Sequence, residues 1–278
     1  MTGQLWLVST PIGNLGDLPP RAVTTLRACA LICCEDTRHS GKLLSYAGVA
    51  GVRLAIANEH TEDARAAEVI DLLAAGRDVA LLTDAGTPGI SDPGARLVRA
   101  AIAAGHRVSA VPGPAALVMG LVLSGFDTTR FVFEGFLPRS GKDRMQRIAE
   151  IASERRTIVL YEAPHRVQRT LADLLAACGN DRQVAIAREL TKLHEETWRG
   201  TLADATTHVA QTAPRGEYVL VVEGASDVVV AATDDVITDA LRMALAGGAD
   251  RRTAIATVTT TTGANKRRVY DLALAIPR

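Results

Sequence analysis

Five short apolar runs, separated by helical segments, constrain the fold of the first 111 residues of this chain. Continuous apolar runs of five or six residues are typical of strands buried on both faces, and helical connections between them favour a parallel sheet. The runs are residues 4–9, 30–34, 52–57, 79–83 and 107–111, and the helical segments are residues 21–29, 62–75 and 92–104. The sequence therefore predicts a mainly parallel sheet covered by helices on both faces.

The character of the sequence changes after Gly125. Five further strands are predicted, with more β-branched and aromatic residues and fewer helices between them, which favours a second α/β domain with more antiparallel pairing. These strands are residues 130–134, 157–162, 184–189, 196–201 and 217–223, and three helical candidates follow at 236–246, 252–259 and 266–275. The predicted architecture is two α/β domains, residues 1–115 and 116–228, and a small basic helical domain, residues 233–278.

Composition excludes several classes of protein. The 31 basic and 31 acidic residues balance to a net charge of zero, so a nucleic-acid ligand would need a local basic patch. No apolar run approaches the roughly 20 residues that cross a bilayer, and the first residues lack the pattern of a signal peptide. Cys29, Cys33, Cys34 and Cys178 lack the paired spacing of a zinc site and are expected to be buried thiols. We expect a cytoplasmic protein with no metal and no membrane partner.

Three loops follow predicted strands and have the composition of ligand loops, because ligands of parallel sheets bind at the carboxyl ends of the strands. The loop at 10–17 is glycine-rich but lacks the spacing of a dinucleotide fingerprint and the lysine of a phosphate loop. The loop at 84–94 holds three glycines, two prolines and two aspartates, and Asp84 could face a cationic or hydroxylated group. Its other interpretation is a plain turn in which Asp92 caps the next helix. The loop at 111–116 is either a linker or the floor of a cleft between two domains.

Seven motifs in order carry a resemblance to a known family. They are TPIGNLGD (10–17), EDTR (35–38), DAGTPGISDPG (84–94), VPGP (111–114), EGFLP (134–138), YEAPHR (161–166) and RELTK (188–192). Together they resemble the tetrapyrrole-methylase superfamily over about residues 4 to 224, and more narrowly its branch that methylates small-subunit ribosomal RNA.

The resemblance implies a two-domain α/β enzyme, usually a homodimer, with S-adenosylmethionine bound in a cleft between the domains. The reaction implied is methylation of a cytidine ribose 2′-hydroxyl in the decoding region of 16S rRNA, so that rRNA or the 30S subunit is the partner. Position 115 often carries a hydroxyl residue in the superfamily and is alanine here, which leaves a backbone contact at that point. The cofactor residues expected are Pro11, Asp84, Ala85, Gly86, Thr87, Ile90, Ala115, Ala116, Glu162 and Leu190.

The chemistry of such a transfer needs an aligned acceptor oxygen, exclusion of water and removal of the hydroxyl proton. Glu35, Asp36 and His60 are the candidate proton acceptors, with Glu59 and Glu162 also considered, and no spacing singles one out. The alternatives are that His60 is a structural hydrogen-bonding residue and that Asp36 pairs with Arg38.

Local basic stretches are the candidate RNA contacts. Residues 138–156 contain six basic against three acidic residues, and a solvated helix face explains that stretch equally well. Residues 251–278 contain six basic residues against Asp271 alone, and their Thr/Gly turn followed by a basic segment resembles the second helix of a helix-turn-helix. Tyr270 there is available for packing or stacking. The expected RNA contacts are Arg38, His165, Arg166, Arg251, Arg252, Lys266, Arg267 and Arg268.

Three alternatives remain open. The first is a C-methyltransferase that acts on a tetrapyrrole of the precorrin type. Such a small macrocycle requires neither the EDTR and YEAPHR motifs nor a basic tail. The second is a non-catalytic RNA-binding or ribosome assembly factor, which S-adenosylmethionine binding would distinguish from an enzyme. The third is a nicotinamide-dependent oxidoreductase, which the missing glycine fingerprint disfavours.

Overall fold

A computed structural model describes residues 2–58, 61–211, 215–226 and 233–276. The chain forms two compact units, Met1–Gly224 and Ala225–Arg278. The first unit contains both β-sheets, and the second is helical. No described helix is long and apolar enough to cross a membrane.

The first sheet is parallel throughout, as the apolar runs predict. Its order is β3-β2-β4-β1-β5, and every residue of the central strands β2 and β4 is buried. The strands are β1 (Gln4–Val8), β2 (Leu31–Cys34), β3 (Arg53–Ile56), β4 (Val79–Leu82) and β5 (Arg107–Val111). Cys29, Cys33 and Cys34 are buried free thiols in this core, and burial raises the pKa of Cys29 and Cys33 to about 12.

Four helices cover this sheet: α1 (Pro20–Ala28), α2 (Thr37–Tyr46), α3 (Glu62–Ala74) and α4 (Ala95–Ala103). Helix α2 was not predicted; it begins where the Asp36 side chain accepts a hydrogen bond from the backbone of Arg38. The predicted start of α4, at Asp92, is three residues too early. The helix begins after Gly94, whose φ of +132° is not helical and whose missing Cβ would lie 2.7 Å from Leu81 Cδ2.

The second sheet is mixed, with the order β6-β7-β10-β8-β9. β6 and β7 are parallel, and the other three pairs are antiparallel, which confirms the predicted shift toward antiparallel pairing. The strands are β6 (Phe131–Phe136), β7 (Thr157–Glu162), β8 (Gln183–Arg188), β9 (Glu196–Thr201) and β10 (Tyr218–Val222).

Helices also accompany the second sheet: α5 (Ala116–Ser124), α6 (Gly141–Ser153), α7 (Val167–Cys178) and α8 (Leu202–Gln211). Three of them lie between its strands, one fewer than in the first sheet, as expected. In α7, Val167, Leu171 and Leu174 repeat at helical spacing and are fully buried against the sheet. The basic stretch at 138–156 includes α6, whose Arg144 is buried and bonded to Asp173 instead of facing solvent.

The second unit is built from three helices, which confirms the predicted helical C-terminal region. They are α9 (Asp234–Ala246), α10 (Arg251–Thr262) and α11 (Lys266–Ala275). Side chains of Thr233, Asp250 and Asn265 cap their amino termini. Their shared core consists of Ile237, Leu241, Ala254, Ile255, Val258, Ala264, Val269 and Ala273.

Candidate functional site

The three predicted ligand loops meet at one edge of the first sheet, because they leave the neighbouring strands β4, β1 and β5. Thr10 and Gly86 join the first two loops through reciprocal backbone hydrogen bonds of 2.8 and 3.1 Å. The Thr87 hydroxyl donates to the Pro114 carbonyl at 3.3 Å and joins the third. The loops therefore form one continuous surface.

This surface bounds a cavity of about 490 Å³, whose other wall comes from the second sheet and its loops. A volume of this size accommodates a nucleoside-sized ligand. The lining residues from the first sheet and α5 are Ile12, Glu35, Asp84, Ala85, Gly86, Thr87, Ile90, Ser91, Asp92, Ala115 and Ala116. Those from the second sheet are Phe136, Tyr161, Glu162, Ala163, Pro164, Glu189, Leu190, Lys192, Glu217, Tyr218 and Val219.

The structure brings nine of the ten expected cofactor residues together around this cavity. They are Asp84, Ala85, Gly86, Thr87, Ile90, Ala115, Ala116, Glu162 and Leu190. The tenth, Pro11, is buried, and its neighbour Ile12 supplies the lining surface at that point.

Asp84 carries an unfilled acceptor. Its Oδ1 atom is buried, yet none of the described residues donates a hydrogen bond to it. Because a buried carboxylate oxygen without a donor is costly, this atom is suited to a ligand's ammonium or hydroxyl group.

The candidate proton acceptors have different surroundings. Glu35 lines the cavity, and burial together with Asp84 and Asp36 raises its pKa. Asp36 caps α2 and forms an ion pair of 2.8 Å with Arg38, whose hydrogen bonds lower the pKa of Asp36 to about 2. His60 and Glu59 lie outside the described residues. Of the described candidates in the EDTR motif, Glu35 is the one that faces the cavity.

Glu162 has both carboxylate oxygens occupied. Oε1 accepts from the backbone of Ala163 at 2.9 Å and pairs with Arg166 at 3.2 Å, and Oε2 accepts from the Thr170 hydroxyl at 2.6 Å. These bonds hold the YEAPHR turn in place and leave Glu162 poorly suited to accept a proton. They also hold Arg166 against the protein, whereas His165 is exposed.

Asp92 is a lining residue that the sequence suggested only as a possible helix cap, in the alternative interpretation of its loop. It lines the cavity and does not cap α4, which has no side-chain cap. Burial, together with the charges of Glu35, Asp84 and Glu217, raises its pKa to about 6. The available signal for a cavity residue was an aspartate within a loop rich in glycine and proline. Pro93 and Gly94 separate Asp92 from the start of α4, so its side chain does not cap that helix.

The cavity is strongly acidic. Among its lining residues, Lys192 is the one cation, and it pairs with Glu189 at 2.7 Å and Glu217 at 3.0 Å. Clefts lined by one sign of charge concentrate ligands of the opposite sign, so this cavity favours a cationic ligand. Its carboxylates are Glu35, Asp84, Asp92, Glu162, Glu189 and Glu217.

An aromatic section lies opposite the acidic loops. The Phe136 and Tyr161 rings have centroids 5.7 Å apart, and the Tyr161 hydroxyl accepts a hydrogen bond of 3.0 Å from the Leu117 backbone. Together with the apolar Leu190 and Val219, these rings suit a flat heterocycle.

Backbone strain is concentrated at the same loops. Within the described ranges, the non-glycine residues with positive φ are Ser91, Glu189 and Thr191, at 59°, 51° and 66°. Ser91 and Glu189 line the cavity, and Thr191 lies between two lining residues. Such conformations cost about 1–3 kcal/mol each and are typical of functional sites. The same described ranges hold no group of His, Cys, Asp or Glu suited to a metal ion.

The basic tail presents a separate surface. Lys266, Arg267 and Arg268 are exposed in the first turn of α11, where the helix dipole disfavours positive charge. Arg268 pairs with Asp234 at 2.7 Å, and Arg251 donates to the Ile276 carbonyl at 2.7 Å. Of the expected RNA contacts in this unit, Arg252, Lys266 and Arg267 are exposed residues whose charges reach solvent.

Comparisons with known proteins agree with this architecture. Residues 4–206 match the tetrapyrrole (corrin/porphyrin) methylases. A protein of Synechocystis sp. named ribosomal RNA small subunit methyltransferase I is 44% identical over 99% of this chain and 98% of its own length. One of the same name from Xylella fastidiosa (strain Temecula1) is 49% identical over 81% of this chain and 83% of its own.

A solved structure shares the fold. Uroporphyrin-III-C-methyltransferase from Thermus thermophilus superposes with a TM-score of 0.53 at 22% identity, covering 81% of this chain and 94% of its own. This chain therefore belongs to the tetrapyrrole (corrin/porphyrin) methylases, in the same branch as the proteins named ribosomal RNA small subunit methyltransferase I.

Proposed function

We propose that this protein transfers a methyl group from S-adenosylmethionine to the ribose 2′-hydroxyl of a cytidine in the decoding region of 16S rRNA. The observation that carries the proposal is the acidic cavity built by the family's loop motifs, in a chain whose relatives are named as methyltransferases of small-subunit rRNA. S-adenosylmethionine has a sulfonium, an ammonium, a carboxylate and a flat adenine ring. An acidic cavity with an aromatic section complements that combination.

The cofactor would be held by the nine lining residues named above. The Asp84 Oδ1 atom, which has no hydrogen-bond donor among the described residues, would be available to one of its polar groups. When bound, it supplies an electrophilic methyl group. The role of the protein is then to orient the acceptor, exclude water and take up a proton.

Glu35 and Asp92 are the proton acceptors that we propose. Both line the cavity, and the pKa of Asp92, near 6, leaves it mainly ionised at pH 7.5 while keeping it more basic than an ordinary aspartate. Glu162 is excluded from this role by its hydrogen bonds from Ala163 and Thr170 and its ion pair with Arg166, and it acts by positioning the YEAPHR turn.

The helical unit supplies the RNA-binding surface in this proposal. Exposed Arg252, Lys266 and Arg267 would contact phosphates, because such contacts dominate affinity for nucleic acids. We also propose that the enzyme acts in the cytoplasm as a homodimer, as its family resemblance implies.

The test uses the full chain, methyl-labelled S-adenosylmethionine and 30S subunits or naked 16S rRNA from a strain that lacks this methylation. Nuclease digestion and nucleoside chromatography are expected to place the label in 2′-O-methylcytidine. Label on a base, label on an added tetrapyrrole in place of RNA, or no label on either RNA would overturn the proposal.

A further inference from the structure

A second cavity, of about 590 Å³, adjoins the acidic one. It lies beyond the carboxyl ends of β2, β3 and β4, and it shares Glu35, Ser91 and Asp92 with the first cavity. The remaining lining residues are Asn58, Glu62, Pro93, Gly94, Ala95, Arg96 and Arg99. The two proposed proton acceptors therefore line both cavities, whereas the expected cofactor residues line only the first.

The chemistry of the second cavity differs from that of the first. Its described lining contains no aromatic side chain and no aliphatic residue larger than proline, and it contains two arginines. A polar space with both carboxylates and guanidinium groups suits a ligand that has hydroxyls and an anionic group, such as a ribose-phosphate.

Two backbone nitrogens at the start of α4 are not available to an anion. Glu62, only 3% exposed, accepts hydrogen bonds of 2.8 Å from the backbone nitrogens of Arg96 and Leu97. The positively charged groups that an anion in this cavity could contact are the side chains of Arg96 and Arg99.

The two arginines are not equivalent. Arg96 forms an ion pair of 2.9 Å with Asp63. Arg99 is exposed one turn further along α4, and it forms no ion pair or hydrogen bond with any residue that the structure describes. Arg99 is therefore the cation whose charge an incoming anion can use at least cost.

From this arrangement we infer that the second cavity binds the ribose-phosphate of the target nucleotide. Arg99 contacts a phosphate, and the shared wall of Glu35 and Asp92 accepts hydrogen bonds from the ribose hydroxyls. The inference rests on the proposed function. It places the acceptor nucleotide and the cationic donor in adjoining cavities, with the proposed proton acceptors among the residues that line both.

The test compares Arg99→Ala and Arg99→Lys with Arg107→Ala. Arg107 is a matched control because it is exposed, begins β5 at the opposite edge of the same sheet, and likewise has no ion-pair partner among the described residues. Methyl transfer is measured as a function of RNA concentration at several salt concentrations, and S-adenosylmethionine binding is measured by calorimetry.

We expect Arg99→Ala to raise the KM for RNA about fivefold to tenfold and to flatten the salt dependence of KM by about 0.7–0.9 in log–log slope, the contribution of one phosphate contact. Cofactor affinity is unchanged, Arg99→Lys recovers most of the slope, and Arg107→Ala behaves as the parent. If Arg99→Ala keeps the parent's KM and salt slope, or loses cofactor binding in parallel, the inference is wrong while the proposed function stands. If the parent transfers no methyl group to RNA, the proposed function fails and this inference fails with it.

Discussion

Replacing Asp92 by asparagine tests whether the ionised carboxylates of the acidic cavity lower the stability of the folded protein. The amide has nearly the same shape as the carboxylate but no charge. Burial and the neighbouring carboxylates raise the pKa of Asp92 from 3.8 to about 6, so the ionised side chain is less favourable in the folded protein than in the unfolded chain. At about 1.4 kcal/mol per pH unit the shift corresponds to about 3 kcal/mol, and solvent screening of this partly buried group reduces the cost to about 1–2 kcal/mol.

The sign of the pH dependence follows from the raised pKa. Well below pH 3.8 the Asp92 carboxyl is protonated in both the folded and the unfolded protein, so it does not lower the free energy of unfolding. As the pH rises from 3.8 to about 6 the unfolded chain releases the proton first, so the parent loses stability over that window. Asp92→Asn removes this loss, so the variant is expected to be more stable by about 1–2 kcal/mol at pH 7.5 and by about half as much at pH 5.

Urea unfolding followed by tryptophan fluorescence measures this difference in stability in the unit that contains Asp92. The chain has two tryptophans, Trp6 in β1 and Trp198 in β9, so each sheet of the first unit has one reporter and the helical unit has none. Asp17→Asn, which removes an exposed carboxylate from the first loop, is the control and should shift stability little at either pH.

Activity is measured on the same preparations. If Asp92 accepts the proton, Asp92→Asn lowers kcat at least about 100-fold while the protein becomes more stable. A variant that is no more stable than the parent at pH 7.5, or whose gain does not shrink at pH 5, would refute the electrostatic reasoning. Unchanged kcat would refute the proton-acceptor role.

The other predictions concern the cofactor, the tail and the assembly. Asp84→Asn should weaken S-adenosylmethionine binding about tenfold to 100-fold in calorimetry, because a charged acceptor is lost, and Asp17→Asn should leave it unchanged. Deleting residues 233–278 should reduce RNA methylation and RNA affinity but spare cofactor binding, and equal loss of both would show that the helical unit is structural. Light scattering should give about 59 kDa, twice the chain mass of 29.4 kDa, and a mass near that of one chain would contradict the homodimer.

The fold was predictable wherever one short pattern determined one element. Runs such as 79–83 are apolar at every position, so they fit a strand buried on both faces and little else. Helix α2 was missed because its buried positions, Ser40, Leu43 and Leu44, form only a short stripe among polar residues. Helices α7 and α8 were not predicted, and the interpretation of 138–156 as a solvated helix face did not anticipate that Arg144 of α6 is buried.

The candidate site was predictable at the level of loops but not of single side chains. Glycine-rich segments after strands located the cavity, since parallel strands bring their carboxyl ends to one edge. The sequence also did not show which of two neighbouring residues lines the cavity: Pro11 was expected, and Ile12 does so in the structure. Burial is the main cause of the raised pKa of Asp92, and the charges of Glu35, Asp84 and Glu217 add to it. Because Glu217 is 125 positions away, part of the shift emerges only when the two sheets are packed.

The two sheets are each contiguous in the chain, and this has a consequence for biosynthesis. β1 to β5 are complete at Val111, whereas the second sheet ends with Val222, 111 residues later. At translation rates of about 5–20 residues per second, the second sheet is finished about 6–22 s after the first. During that interval Ile12 has none of its eventual partners Leu190, Val219 and Val221, so a nascent chain exposes an apolar side chain beside a row of acidic loops. The loops that we propose to bind the cofactor are thus synthesised seconds before the opposite wall of the cavity.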